Sequence, residues 1–195
     1  MHRLPAPKFV LLFTALLVAS LFALVRAGAA EGKLAAEALA QPTTIVLVRH
    51  AEKDPQADAR DPGLSEEGRA RAQRLARMFA ASGVTHLFAS EYHRTQDTLA
   101  PLAERAQKKV EVTPGAKTAD LLKALDALPG GSIAVVAGHS NTVPAIAAHY
   151  GVLLAGTVKS AQGEVLPEDA FDRIYVITLP PRESKAPWSL LELRY

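Results

Sequence analysis

"TTIVLVRHAEK", residues 43–53, decides how this chain is read. Ile45 to Val48 are four consecutive apolar β-formers, the composition of a strand buried on both faces of a sheet. The run passes without a turn signal into Arg49 and His50, followed by Glu52, Lys53 and Asp54. A buried strand that ends in two polar side chains delivers them to the edge of the sheet. In open α/β sheets that edge is where ligands bind.

Working outward, strand-like and helix-like segments alternate. "LSEEGRARAQRLARMFAASG" reads as a helix capped by Ser65, with Glu66 and Glu67 in its first turn and Leu75, Met78 and Phe79 as an apolar stripe. "THLFAS" is a short strand, "RTQDTLAPLAERAQ" a helix interrupted near Pro101, and "KVEVTP" a strand. "TADLLKALDAL" is a helix, "GSIAVVAGH" a buried strand, "TVPAIAAHYG" a helix ending at Gly151, and "DRIYVITLP" the last strand before a Pro-rich tail. This order predicts an α/β fold, a three-layer α/β/α sandwich with a largely parallel central sheet, over residues 43–195.

The chain has 195 residues, and its front differs from the rest. His2, Arg3 and Lys8 precede an uncharged apolar run, Phe9–Val25, and small residues follow at Ala27 and Ala29. Residues 1–30 therefore read as a signal peptide cleaved near Ala29 or Ala30, or as an N-terminal membrane anchor through residues 9–25, with 31–42 as a linker. Either way the domain is expected outside the cytoplasm, periplasmic or extracellular. A net charge of +2 advertises no nucleic-acid partner. The absence of cysteine excludes disulfides, thiolate metal sites and a cysteine nucleophile. Oligomeric state is not legible.

Three strand ends carry the candidate chemistry: Arg49–His50, "SEYHRT" at 90–95, and "GHSNT" at 138–142. Arginine and histidine converging on one crevice make a cationic pocket whose natural guest is phosphate, because guanidinium forks match its oxygens. Metal binding fits poorly, since no HExxH or HxH spacing occurs, and no cofactor is expected. A neutral imidazole in such a pocket can attack phosphorus in line while the other donors stabilise the equatorial oxygens. Neighbouring arginines oppose protonation of His50.

The ordered blocks "LVRHAEK", "LSEEGRARAQRLA", "SEYHRTQDTLAPLA", "VVAGHSNTVPAI" and "FDRIYVITL" resemble the histidine phosphatase superfamily, with its phosphoglycerate-mutase-like fold, over about residues 43–180. The resemblance implies a phosphatase that works on small phosphorylated molecules through a phosphohistidine at His50. It implies that Arg49, Arg94 and His139 complete the phosphate pocket, with Asn141 and Thr142 as further donors. Ala51 stands where the family has glycine, and Ser90-Glu91 and Asp97-Thr98 replace its Ser-Pro and Gln-Thr pairs. The family's leaving-group acid has no positional counterpart, so Glu52, Glu91 and Asp120 are the candidates. Missing acid help favours leaving groups that need little protonation, such as aryl and acyl phosphates, pyrophosphates and phosphohistidine. A phosphate-binding module with little or no activity is the alternative, and a phosphomutase the third.

His86, His93 and His149 read as surface or helix-face residues, and "SEEGRARAQR" as a solvated helix face. Gly68 reads as a packing glycine, Lys53 and Asp54 as loop residues at the pocket mouth, and Trp188 and Tyr195 as packing the tail on the domain.

Overall fold

The computed structural model describes residues 40–57, 60–161 and 163–195. The expected signal or anchor (1–30), its apolar run 9–25 and most of the 31–42 linker lie outside these residues. Among the described residues no helix is long and apolar enough to cross a membrane.

Six strands form one sheet in the order β3-β2-β4-β1-β7-β8. They are β1 Thr43–Arg49, β2 His86–Ala89, β3 Val110–Val112, β4 Ile133–Gly138, β7 Arg173–Leu179 and β8 Ser189–Arg194. The pairs β1–β4, β4–β2 and β2–β3 are parallel, whereas β7 is antiparallel to both β1 and β8. A two-stranded hairpin, β5 Val158–Ser160 and β6 Gly163–Val165, stands apart. Four helices cover the sheet: α1 Glu66–Met78, α2 His93–Ala106, α3 Thr118–Asp126 and α4 Thr142–His149.

The two-residue period of β1 separates the layers. Ile45 and Leu47 face one core with Leu125 of α3 and Val143 and Ile146 of α4. Val46 and Val48 face the other with Leu75 of α1 and Leu99 and Leu102 of α2. Both faces are covered, so Ile45 to Val48 are fully buried, as a continuous apolar run requires. This is the α/β sandwich expected.

Four local expectations are corrected. The helix over 93–106 is continuous through Pro101, which removes one backbone donor; full burial of Leu99 and Leu102 on either side holds it together. Pro144 in α4 costs less, because it lies in the first turn, where N–H groups have no intrahelical partner. Met78 is exposed rather than part of the α1 stripe; the buried face is Gly68, Arg71, Ala72, Leu75 and Ala76. Arg71 thus leaves the solvated face assigned to its stretch. The strand in "DRIYVITLP" is also not the last: β8 extends the sheet, with Leu190, Glu192 and Leu193 half-buried and Leu191 exposed.

Candidate active site

Register alone assembles the site. Arg49 pairs with Gly138 across β1–β4, and His50 N–H donates to the Gly138 carbonyl (2.8 Å), so His50 and His139 leave adjacent strand ends side by side. Their ring centroids are 5.4 Å apart. Ala89 pairs with Ala137 on the next strand, which brings Ser90 and the start of α2 to the same edge. The crevice there, about 490 Å³, is lined by Arg49, His50, Lys53, Glu91, Tyr92, Arg94, Gly115, Ala116, His139, Ser140, Asn141, Thr142 and Glu168. All six expected pocket residues are brought together.

Each is oriented. His50 Nδ1 lies 2.8 Å from the Ala51 carbonyl, which can only accept, so the neutral ring carries its proton on Nδ1 and its lone pair on Nε2. Burial pushes the His50 pKa down from 6.5 to about 3; Arg49, His139 and Arg94 act the same way, against the Ala51 hydrogen bond. His139 is pushed down to about 4, first by burial and then by Arg94, with Glu91 opposing. Its Nε2 lies 2.9 Å from Ser90 Oγ, and its backbone N–H donates to Thr142 Oγ1 (2.7 Å).

Arg49 is buried, with one terminal nitrogen donating to the Pro167 and Glu168 carbonyls (2.7 and 2.8 Å) and its guanidinium 4.2 Å from the Phe171 ring centroid. Its Nε is buried without a hydrogen-bond partner among the described residues. Buried guanidinium donors are normally satisfied, so this N–H beside His50 is a donor that an anion in the crevice could use. Arg94 stacks on Tyr92, 4.2 Å from its centroid, and faces Asp61 at 3.8 Å.

Of the three acid candidates, only Glu91 lines the crevice; its Oε2 accepts the Gly115 N–H (2.6 Å). Glu52 does not. Both its oxygens accept from Arg71 Nε (2.9 Å each), and Oε1 also from Nη2 (2.5 Å). Burial pushes the Glu52 carboxyl up, but the Arg71 hydrogen bonds, a backbone hydrogen bond and the charges of Arg71 and Arg74 together outweigh it, and the pKa ends lowered. It is a held base partner with no proton to give. Asp120 pairs loosely with Lys123 (3.9 Å) on α3 and does not line the crevice. The loop pair also divides, since Lys53 lines the crevice whereas Asp54 borders a separate cavity with Leu64 and Ala72.

The sequence reading missed the groups that hold the site. Thr98, fully buried, accepts the Ala51 N–H (2.9 Å) and donates to the Arg94 carbonyl (2.7 Å), tying the loop after His50 to the start of α2. Thr95 bonds Ser90 (2.8 Å), which positions His139. Hydroxyls at 90, 95 and 98 recur on one stretch, and that recurrence was the available signal. Glu168 and Phe171 had none, because they reach the site only through the fold. His149 pairs with Asp126 on the surface, and His86 is half-buried with its ring stacked parallel to Phe88 at 6.2 Å. Among the described residues no group of histidines and carboxylates is arranged to hold a metal.

Residues 45–123 match the model of the histidine phosphatase superfamily, branch 1. No curated protein sequence matches the chain. Among solved structures, mycobacterial hydrolase 1 has a TM-score of 0.57 at 16% identity, with 80% of this chain and 99% of that one covered. The protein histidine phosphatase SixA complexed with tungstate has a TM-score of 0.55 at 16% identity, covering 78% of this chain and 97% of that one. The mycobacterial glucosyl-3-phosphoglycerate phosphatase complexed with inorganic phosphate has 0.55 at 17% identity, with 78% and 97% covered. At such identities the likeness carries the fold.

Proposed function

We propose that the chain, whose residues 45–123 match the model of the histidine phosphatase superfamily, hydrolyses phosphate monoesters through a phosphohistidine at His50. The observation that carries this reading is the 2.8 Å contact between His50 Nδ1 and the Ala51 carbonyl. With Nδ1–H tied to Ala51, Nε2 is left as the nucleophilic atom inside a pocket lined by Arg49, Arg94 and His139.

Nε2 attacks phosphorus in line; the N–P bond forms as the P–O bond to the leaving group breaks. Arg49, Arg94 and His139 hold the equatorial oxygens as charge spreads over them. The leaving oxygen takes up a proton and departs. Water then attacks phosphorus, the P–N bond breaks, and inorganic phosphate leaves with neutral His50 restored. Glu52 is engaged by Arg71, so no expected carboxyl other than Glu91 is at hand to protonate the leaving oxygen. Substrates with good leaving groups suit this arrangement.

An aryl phosphate with wild-type and His50→Ala protein tests the reading. Hydrolysis is expected to fall by about 10³-fold or more in the variant, with an acid-labile phosphoenzyme trapped only in the wild type. Turnover unaffected by the substitution overturns it.

A further inference from the structure

The floor and the mouth of the crevice carry opposite charge. Arg49 and Arg94 line it together with the two histidines, whose neutral state follows from their burial. The remaining charged residues lining it are Lys53, Glu91 and Glu168. A bound phosphate dianion offsets the two arginines, so the part of the substrate beyond phosphorus meets one positive and two negative side chains.

Both carboxylates stand on residues that backbone contacts tie to the crevice. Glu91 follows Ser90, the partner of His139, and its Oε2 is pinned by Gly115 N–H at 2.6 Å. Glu168 supplies the main-chain carbonyl that accepts from Arg49 at 2.8 Å, and the residue, exposed, lines the same crevice. Glu91 acts on His139 and Glu168 on Arg49 as the nearby charges of each, so their fields reach the pocket. Lys53, Glu91 and Glu168 are all exposed, and Lys53 offsets one of the two carboxylates, which leaves the mouth with a net negative charge.

We infer that this site selects phosphate monoesters whose leaving group carries a positive charge, with Glu91 and Glu168 as the specificity-determining residues. The inference rests on the phosphatase reading of the same crevice. A second phosphate or a carboxylate on the substrate meets Glu91 and Glu168 and is disfavoured by like-charge repulsion, which also weighs against bisphosphorylated substrates and hence a mutase. A cationic group gains attraction from both carboxylates in a crevice shielded from bulk water on one side.

Three aryl phosphates of closely similar leaving-group basicity test it: 4-(aminomethyl)phenyl, 4-(hydroxymethyl)phenyl and 4-carboxyphenyl phosphate. For the wild type, kcat/KM is expected to fall in that order, with about tenfold or more between the cationic and anionic members. In Glu91→Gln/Glu168→Gln the cationic-to-neutral ratio should fall to about twofold or less. An unchanged ratio overturns the inference, as does a uniform loss on all three substrates, which assigns Glu91 to leaving-group protonation instead. Binding of the same three compounds to His50→Ala, followed by calorimetry, should keep the order, and equal affinities overturn the inference whether or not the wild type turns over. Wild-type protein that binds them in this order but hydrolyses none overturns the phosphatase reading and leaves the charge selection standing.

Discussion

The carboxylate of Glu52, two residues from His50, is clamped by Arg71 of α1 through three contacts of 2.5 to 2.9 Å. Arg71 also donates to the Tyr195 carbonyl (2.7 Å) and lies 5.5 Å from that residue's ring centroid, so one guanidinium joins the loop after His50, the first helix and the end of β8. The pair is mostly buried, with the side chains 10% and 16% exposed. Removing one partner of such a pair strands the other, at a cost of about 3 kcal/mol. Arg71→Met should therefore lower the urea midpoint strongly. Glu52→Gln should lower it less, because an amide oxygen still accepts from Arg71, and should change aryl phosphate kcat by no more than about threefold. A 10²-fold loss of kcat in Glu52→Gln, at unchanged stability, would return Glu52 to the reaction.

Thr98→Val removes the acceptor of the Ala51 N–H at nearly constant volume. The orphaned donor costs about 1–3 kcal/mol. Because the same hydroxyl donates to the Arg94 carbonyl, kcat/KM should drop about tenfold, and Thr98→Ser should restore most of it. A valine variant with wild-type kinetics and stability contradicts the positioning role.

Gly68 lies against the Glu52 backbone so closely that a Cβ there would overlap the Glu52 carbonyl oxygen. The obstacle is main chain, which cannot rotate away. Gly68→Ala is expected to destabilise by about 3 kcal/mol or more and to disturb the Ser65 cap, whose Oγ accepts the Gly68 N–H at 3.1 Å. Thermal unfolding measures it, and a shift below 2 °C contradicts the packing role.

His50 has a folded-state pKa near 3 against an unfolded value of 6.5. Between those values the unfolded chain binds a proton that the native chain does not, so the stability present above pH 6.5 is lost as pH falls toward 3. The slope from this group reaches about 1.4 kcal/mol per pH unit. Glu52, with its lowered pKa, acts in the same direction at the acid end. Urea midpoints at pH 7 and 5 should differ accordingly, and ¹⁵N shifts should show the Nδ1–H tautomer of His50 at both. A ring that becomes doubly protonated near pH 6.5 contradicts the burial argument and the neutral nucleophile together.

Export of the domain by residues 1–30 is a proposal of its own. Fractionating cells that express the full chain and a form starting at residue 31 tests it. The full chain should leave the cytoplasm and the shortened form remain; equal cytosolic recovery of both contradicts export.

Much of this was legible from local pattern. The four-residue apolar run before Arg49, the Ser65 cap and the alternation of strand and helix specify a covered parallel sheet, because burial on both faces and the capping of a helix start leave marks within a few residues. The parallel sheet in turn implies that residues following its strands share an edge, so Arg49, His50, Arg94 and His139 could be grouped before any coordinates. What only the tertiary structure decided was the direction of side chains whose partners lie far along the chain. Glu52 and Glu91 are equally plausible acids in sequence. One is drawn away by an arginine 19 residues on, and the other is turned into the crevice by the Gly115 N–H, 24 residues on. Glu168 and Phe171 reach Arg49 across nearly 120 residues, through the return of β7 beside β1. Hydrophobic periodicity records which face of an element is buried; it carries no record of which distant donor a buried carboxylate will meet, and here that meeting separates structure from chemistry.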